Sequence, residues 1–434
     1  MSAQPPFAPA DLARAVHKAT RRLVPFLLLM YVLAFLDRAN IGFAQQAFQL
    51  DTGLSNAAYA LGAGIFFIGY ALFEVPSNLI MHRVGARIWM CRIMVTWGLV
   101  SALMFAVRGE AAFYGLRFLL GVAEAGFFPG VIYLLSQWFP AEVRTRVLGL
   151  FYFGAPLAFI LGGPLSGVLL DMHGVGGLHG WQWMFIVEGV LASAVGLWAF
   201  WYLDNRPEDA SWLSVAERDA LARAMRAEDS RKLIHGPKGA LAALTNPRVL
   251  FLSAIYFAIQ MSVYGVVFFL PSQVAALLGT TVGTKVGLVT SIPWICALVA
   301  VYVVPRVAAR GPHIAVIAAA TLVVSAIGMA MSVASTSPAI SMVALCLAAA
   351  GFIAVQPLFW SFPTAYLGGI AAAGGIALIN SLGSLGGFLA PNIKTFAETT
   401  FASPQAGLYL LACTTLVGAA LMLRLREPVA EADR

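Results

Sequence analysis

LVPFLLLMYVLAFLDRANIGF, residues 23–43, decides the fold class. A helix needs about 20 mostly apolar residues to cross the hydrocarbon core of a bilayer, and this run has them, yet Asp37 and Arg38 stand side by side within it. Apolar runs of similar length recur near 57–80, 88–107, 111–138, 146–170 and 181–203, and again near 249–278, 283–304, 313–333, 338–366, 370–393 and 404–423. Hydrophobic residues make up 60% of the 434 positions and charged residues 11%, against roughly 25% charged in an average soluble domain. A water-soluble surface cannot be built from that composition. The expected fold is an all-α membrane protein of twelve transmembrane helices in two pseudo-symmetric six-helix bundles.

The formal net charge of +7 could point to nucleic acid, so the placement of the 27 Lys and Arg residues matters. Arg38 and Arg117 lie inside spans; Arg108, Lys285 and Lys394 fall on one side of the membrane and all the others on the opposite side. That is the positive-inside bias. It predicts a multi-pass protein of the bacterial inner (cytoplasmic) membrane with both termini cytoplasmic, and it explains the basic balance without nucleic acid. Cys91, Cys296, Cys346 and Cys413 are scattered through apolar spans with no CxxC or Cys/His ligand spacing, so free thiols and no metal are expected. The first run is interrupted by Asp37 and Arg38 and lacks a small-residue cleavage site, so it is expected to be retained.

Residues 204–248 carry eight basic and seven acidic side chains between two groups of six runs. The expected organisation is a cytoplasmic N-terminal segment (1–22), a first bundle (23–203), a cytoplasmic linker (204–248), a second bundle (249–425) and a cytoplasmic tail (426–434). Ser214 and Glu217 form an S-x-x-E capping box that opens a short polar helix through about Ala227, expected to be a solvated connector. HRVGAR (82–87) recurs as PRVAAR (305–310), and Phe139-Pro140 as Phe362-Pro363, at one common offset. Two matches at one offset predict a parallel repeat of six helices, the arrangement that lets two bundles rock about a central site. At that offset Asp37 maps to Gln260 and Glu124 to Leu347, so charge is concentrated in the first half.

A charge at the membrane centre costs roughly 2.5–3.5 kcal/mol on insertion scales and usually marks a site. Arg117 and Glu124 are two turns apart on one helix face, with Gly121 between them. Asp37 and Arg38, being adjacent, point about 100° apart. These residues predict that Asp37 and Glu124 take up protons, that Arg117 serves as counter-ion between them, and that Arg38 binds a substrate carboxylate, which its planar donors match in bidentate fashion. Glu74, beside Pro76, reads as a gating or structural group, together with Arg83 and Arg87 of the loop that follows. The second half offers neutral polar stripes at helical spacing: Tyr256, Gln260 and Tyr264; Gln356, Trp360 and Thr364; Asn380 and Ser384. Small-xxx-small pairs, such as Gly163 with Gly167, permit close helix contact.

YVLAFLDRANIGFA (31–44), GYALFEVPSNL (69–79), GLRFLLGVAEAGFFPG (115–130), QWFPAEVRTRVLG (137–149), RPEDASWLSVAER (206–218), FWSFPTAYLGG (359–369) and GIALINSLGSLGGFLAP (375–391) together resemble the major facilitator superfamily. More narrowly, they resemble its anion:cation symporter family of organic-acid permeases, including phthalate and tartrate permeases. The resemblance implies alternating access and proton symport of anions such as sugar acids, tartrate or aromatic acids. It also implies proton coupling by Asp37 and Glu124, a linking role for Arg117, and a substrate pocket that includes Arg38 and Tyr70. The chain departs from the pattern at Asn78 and His82, where the loop after the second helix usually has Gly and Asp. It departs again at Phe35 and Ala155, where sugar-acid members carry Tyr and Gln, which predicts a less polar pocket.

The expected function is therefore a proton-coupled symporter of a small organic carboxylate, with an exporter or exchanger of the same fold as the alternative. Excess arginine argues against a pump for cationic drugs. The chain shows no H-E-x-x-H, Walker loop, Ser/His/Asp set or Cys/His cluster, so no enzyme and no cofactor beyond the coupling proton is expected. The expected partners are substrate, protons and lipid, with the protein a monomer.

Overall fold

A computed structural model describes residues 9–235, 245–308, 313–366 and 369–425. The extreme N-terminus, Arg310 of the repeat motif, part of the linker and the 426–434 tail lie outside the described residues. So do the side chains of His82 and Thr364.

The first half runs α1 (Pro9–Thr52), α2 (Asn56–Val84), α3 (Ala86–Leu103), α4 (Glu110–Glu124), α5 (Phe127–Trp138), α6 (Ala141–Tyr152), α7 (Gly154–Asp171) and α8 (Gly180–Tyr202). The linker folds as α9 (Val215–His235). The second half runs α10 (Pro247–Val267), α11 (Leu270–Leu278), α12 (Thr284–Ala308), α13 (Ile314–Ala334), α14 (Pro338–Tyr366), α15 (Gly369–Thr400) and α16 (Ala406–Met422). Among the described residues, eleven segments are long and apolar enough to cross a membrane, and α16, with 17 residues, is a shorter apolar helix. Leu99, Val190, Leu288, Val299 and Val417 are about half exposed, as lipid-facing side chains would be.

Helix pairing in the first half recurs in the second. α1 packs on α7 as α10 packs on α15, α2 on α4 as α12 on α14, and α3 on α8 as α13 on α16. The two halves meet along α7 against α12 and along α2 against α15, contacts that exchange under the same repeat. At the first seam the glycine pairs matter directly. A Cβ on Gly163 would sit 2.5 Å from the Gly287 carbonyl oxygen, and one on Gly167 would sit 2.7 Å from that of Gly283. At the end of this seam farthest from the linker, Asp171 accepts from the Thr284 amide at 3.0 Å, and Ser272 donates to Gln45 at 3.3 Å.

The fourth span is broken between Glu124 and Phe127, where Gly126 adopts φ +89°. A Cβ at Gly126 would lie 2.4 Å from Ser77 Oγ, and that hydroxyl donates to the Ala125 carbonyl at 2.6 Å. A neighbouring hydroxyl thus satisfies the backbone group freed by the break, as the lipid core requires.

The capping box forms as read: the Ser214 amide donates to Glu217 at 2.9 Å and the Glu217 amide to Ser214 Oγ at 3.3 Å. The solvated connector expected from the polar sequence is instead docked on the first half. Lys18 donates to Glu217 at 2.8 Å, Trp212 stacks on Trp138, and Arg22 lies over both Tyr202 and Trp212. Leu213, Ala220, Leu221 and Met225 supply the buried stripe that the polar average concealed. The Lys18 ammonium, with the Ser214 amide, holds the Glu217 carboxyl below the ordinary carboxylate range. A carboxyl shifted down in the folded state contributes stability at neutral pH and loses it as pH falls through the lowered value. We expect acidification, or Glu217→Gln at neutral pH, to loosen the linker and change Trp212 emission. Lys18 is half exposed, so the pair contributes no more than about 1 kcal/mol. Emission unchanged in both cases would show that Trp212 packing alone holds the segment.

Candidate functional site

Between the halves lies a cavity of about 750 Å³, counted with its open mouth. Tyr31, Ala34, Phe35 and Arg38 line it from successive turns of α1; Tyr70 comes from α2, Phe127 and Phe128 from α5, Tyr152 from α6, and Ala155 and Pro156 from α7. The second half supplies Tyr256, Gln260, Val263 and Tyr264 from α10, Val301 from α12, Ile353, Gln356 and Pro357 from α14, and Asn380 and Ser384 from α15. Its first-half wall is largely aromatic and its second-half wall carries amides. Phe35 and Ala155, the two apolar departures read from the sequence, are both on the wall.

Arg38 is the cationic residue on the wall. Its Nε and Nη2 donate to a single oxygen of Glu124, at 2.8 and 2.5 Å, and its Nη1 donates to the Tyr264 hydroxyl of the second half at 3.0 Å. The rings of Tyr70, Phe35 and Phe66 lie 5.1, 5.3 and 5.6 Å from the guanidinium carbon. Glu124 is fully buried behind Arg38, and its second oxygen has no hydrogen-bond partner. Arg38 therefore lines the cavity and holds Glu124 of the fourth span at once.

Arg117 lies within electrostatic reach of both Asp37 and Glu124, but its hydrogen bonds go to neither acid. It donates to the Gly62 and Ala63 carbonyls of α2 at 3.2 and 3.0 Å, and among the described residues it makes no ion pair. Gly121 accounts for this. A Cβ there would meet the Phe66 carbonyl oxygen at 1.9 Å, so α4 lies directly against α2 and carries Arg117 onto its backbone. Asp37 points away from the cavity into the first half, accepting from the Ser101 hydroxyl and, at 3.2 Å, from Asn40.

Glu74 is buried and reaches across the seam, accepting from Asn380 at 2.6 Å and Ser381 at 2.5 Å. Asn380 thus lines the cavity while tied to the first half. Gln356 donates to Gln260 at 3.4 Å. Trp360, expected in the pocket, instead packs edge-on to Tyr256 behind the wall, with ring centroids 5.0 Å apart. Arg83 is exposed. The Arg87 side chain donates to the Phe200 carbonyl of α8 and its amide to Asn205 at the start of the linker, so it ties the first half to the linker.

The Major Facilitator Superfamily model matches residues 27–391, most of the chain. The chain belongs to the major facilitator superfamily. Within this superfamily it is 51% identical over 98% of its length, and 98% of the relative's, to the inner membrane transport protein RhmT of Escherichia coli (strain K12). It is 44% identical, over 95% of its length and 91% of the relative's, to an Agrobacterium vitis protein whose name assigns it provisionally to tartrate transport. A quinolone resistance transporter of Acinetobacter baumannii is 39% identical, with 93% of each chain covered. The fold is shared with a bacterial homolog of the human lysosomal transporter Spinster, solved in an inward-facing and occupied conformation. That match has a TM-score of 0.71 at 15% identity and covers 92% of this chain and 95% of the other. The protein is thus a multi-pass transporter of the major facilitator fold.

Several site residues were absent from the sequence reading. Tyr31 and Ala34 follow from Arg38 by i−7 and i−4 spacing on one helix face, a signal available in the sequence. Glu188, in the sixth span, is 2% exposed and was within reach of the same search for charge in apolar runs that found Glu124. Tyr152 and Val301 had no such signal, because only the apposition of the two halves puts them on one wall.

Proposed function

We propose that the protein is a proton-coupled symporter of a small organic carboxylate, with Arg38 as the carboxylate anchor and Glu124 as a proton acceptor. The observation that carries this reading is the Arg38–Glu124 pair at the cavity wall. Two donors of the guanidinium are spent on Glu124. A substrate carboxylate needs the same bidentate edge, so the two carboxylates compete for one cation. A proton on Glu124 removes the competitor and frees Arg38, which links loading of the anion to loading of the proton. Tyr264, from the opposite half, also holds Arg38, so substrate on Arg38 alters a contact between the halves. The aromatic wall favours an anion with a ring or few hydroxyls, and the amides of Gln260, Gln356 and Asn380 supply its polar contacts. The tartrate name of one relative is in keeping with a carboxylate.

In this reading the linker and both termini are cytoplasmic, in the inner membrane, and the imposed gradients drive uptake. A monoanion with one proton is electroneutral; a second proton, for which Asp37 is a further acceptor, adds about 2.3 kcal/mol per 100 mV. Export of an anion by the same exchange is the second reading, favoured by the relative named for quinolone resistance.

In vesicles with an imposed pH gradient, Glu124→Gln is expected to bind anion with no pH dependence and to exchange it, but not to accumulate it. Wild-type affinity should fall as pH rises and Glu124 ionises. Accumulation by Glu124→Gln equal to wild type would refute its role. Asp37→Asn is likewise expected to lose gradient-driven accumulation while retaining exchange; full accumulation would remove Asp37 from the proton route.

A further inference from the structure

Glu188 of α8 plays no part in the competition at Arg38, yet it is buried inside a span. Its Oε1 accepts from Ser166 of α7 at 2.8 Å, and among the described residues its Oε2 has no hydrogen-bond partner. Among the described residues it makes no ion pair. Asp37 and Asn40 face it from α1. Asn40 Nδ2 donates to Asp37 at 3.2 Å, and among the described residues Asn40 Oδ1 and Asp37 Oδ2 accept no hydrogen bond within 3.5 Å. The buried face of α3 against α8 offers Met90, Met94, Trp97, Gly98 and Ser101, and that of α7 offers glycines, Ser166 and leucines, none of them charged; the Trp97 Nε1 donor lies against Asp37. The cation that acts on Asp37 is Arg117, from α4.

Trp97 Nε1 can serve Asp37 Oδ2, which leaves Glu188 Oε2 and Asn40 Oδ1 as two buried acceptors without a hydrogen bond among the described residues. An isolated ionised carboxylate in such surroundings neutralises in preference to remaining charged. A protonated carboxyl gains one O–H donor. A proton on Glu188 Oε2 would offer that donor beside Asn40 Oδ1 and satisfy both remaining atoms at once.

We propose that Glu188 holds a proton in the resting protein and exchanges it with Asp37 beside Asn40, so that the first bundle stores a proton apart from the one Glu124 takes. In the exchange the Glu188 O–H bond breaks as an Asp37 O–H bond forms, carried by a water molecule, with no net change in protons. Like charges on the two carboxylates oppose each other, which keeps one proton between them. That Glu188 carries a proton is independent of the symport reading; its contribution to coupling rests on it.

Infrared spectra of the full chain in lipid at neutral pH should contain the carbonyl stretch of a protonated carboxylic acid that Glu188→Gln removes. Ser166→Ala, which deletes the Ser166 hydrogen bond to Glu188, should shift the same band and reports on the group even if Glu188→Gln folds poorly. A band unaltered by either substitution overturns the stored proton. In vesicles, Glu188→Gln is expected to accumulate several-fold less anion at a given pH gradient while exchanging at the wild-type rate; unchanged accumulation overturns the exchange with Asp37. The infrared result does not depend on Glu124, so its failure is distinct from failure of the symport reading.

Discussion

Arg38→Ala is expected to abolish useful affinity for carboxylates, weakening binding by about 10- to 150-fold. Charge-assisted hydrogen bonds contribute about 1.5–3 kcal/mol, and each 1.4 kcal/mol is a factor of ten. The same substitution leaves Glu124 buried without its cation, and breaking a buried pair by removing one partner costs about 3–5 kcal/mol. The variant should therefore melt earlier even without ligand. Arg38→Ala combined with Glu124→Gln should recover much of the lost stability but none of the binding, which separates anchor from scaffold. Arg38→Lys should also bind poorly, because a point charge cannot reproduce two parallel donors. Calorimetric titration of a panel of monocarboxylates and dicarboxylates is the measurement. Binding by Arg38→Ala within a few-fold of wild type would place the anion elsewhere.

Gly287→Val is expected to stop transport while sparing binding. A Cβ at Gly287 would stand 2.1 Å from the Gly163 carbonyl oxygen, and the contact is backbone to backbone with no flexible side chain able to yield. Overpacking of this kind costs about 1–3 kcal/mol, which lowers the population closed at this seam by about 5- to 150-fold. Cysteines introduced at Asp171 and Thr284, where Asp171 now accepts from the Thr284 amide at 3.0 Å, should cross-link readily in the parent and poorly with Gly287→Val. Wild-type transport and cross-linking together would show that the seam tolerates a side chain.

The fold was legible because a bilayer constrains sequence strongly. Every spanning backbone must satisfy its own hydrogen bonds, so twelve apolar runs, the polar linker between the sixth and seventh, and a repeat marked by HRVGAR and PRVAAR were enough to read two bundles. The site was legible in part for a related reason. Charge in lipid is rare, and Asp37, Arg38, Arg117 and Glu124 stood out against their surroundings. The docking of the linker was not legible because α9 is polar on average, which conceals the buried Ala220, Leu221 and Met225 that pack beside the Lys18–Glu217 pair.

What the sequence determined by itself was which residues carry charge into the membrane and on which turns of which helices they lie. Only the tertiary structure decided their partners. The approach of α4 to α2 at Gly121 commits Arg117 to backbone carbonyls and leaves Arg38 to hold Glu124 at the cavity wall. Helical spacing fixes the direction of a side chain about its own axis, but which acid meets which base depends on how closely two axes approach, and that is set by packing between segments distant in the chain.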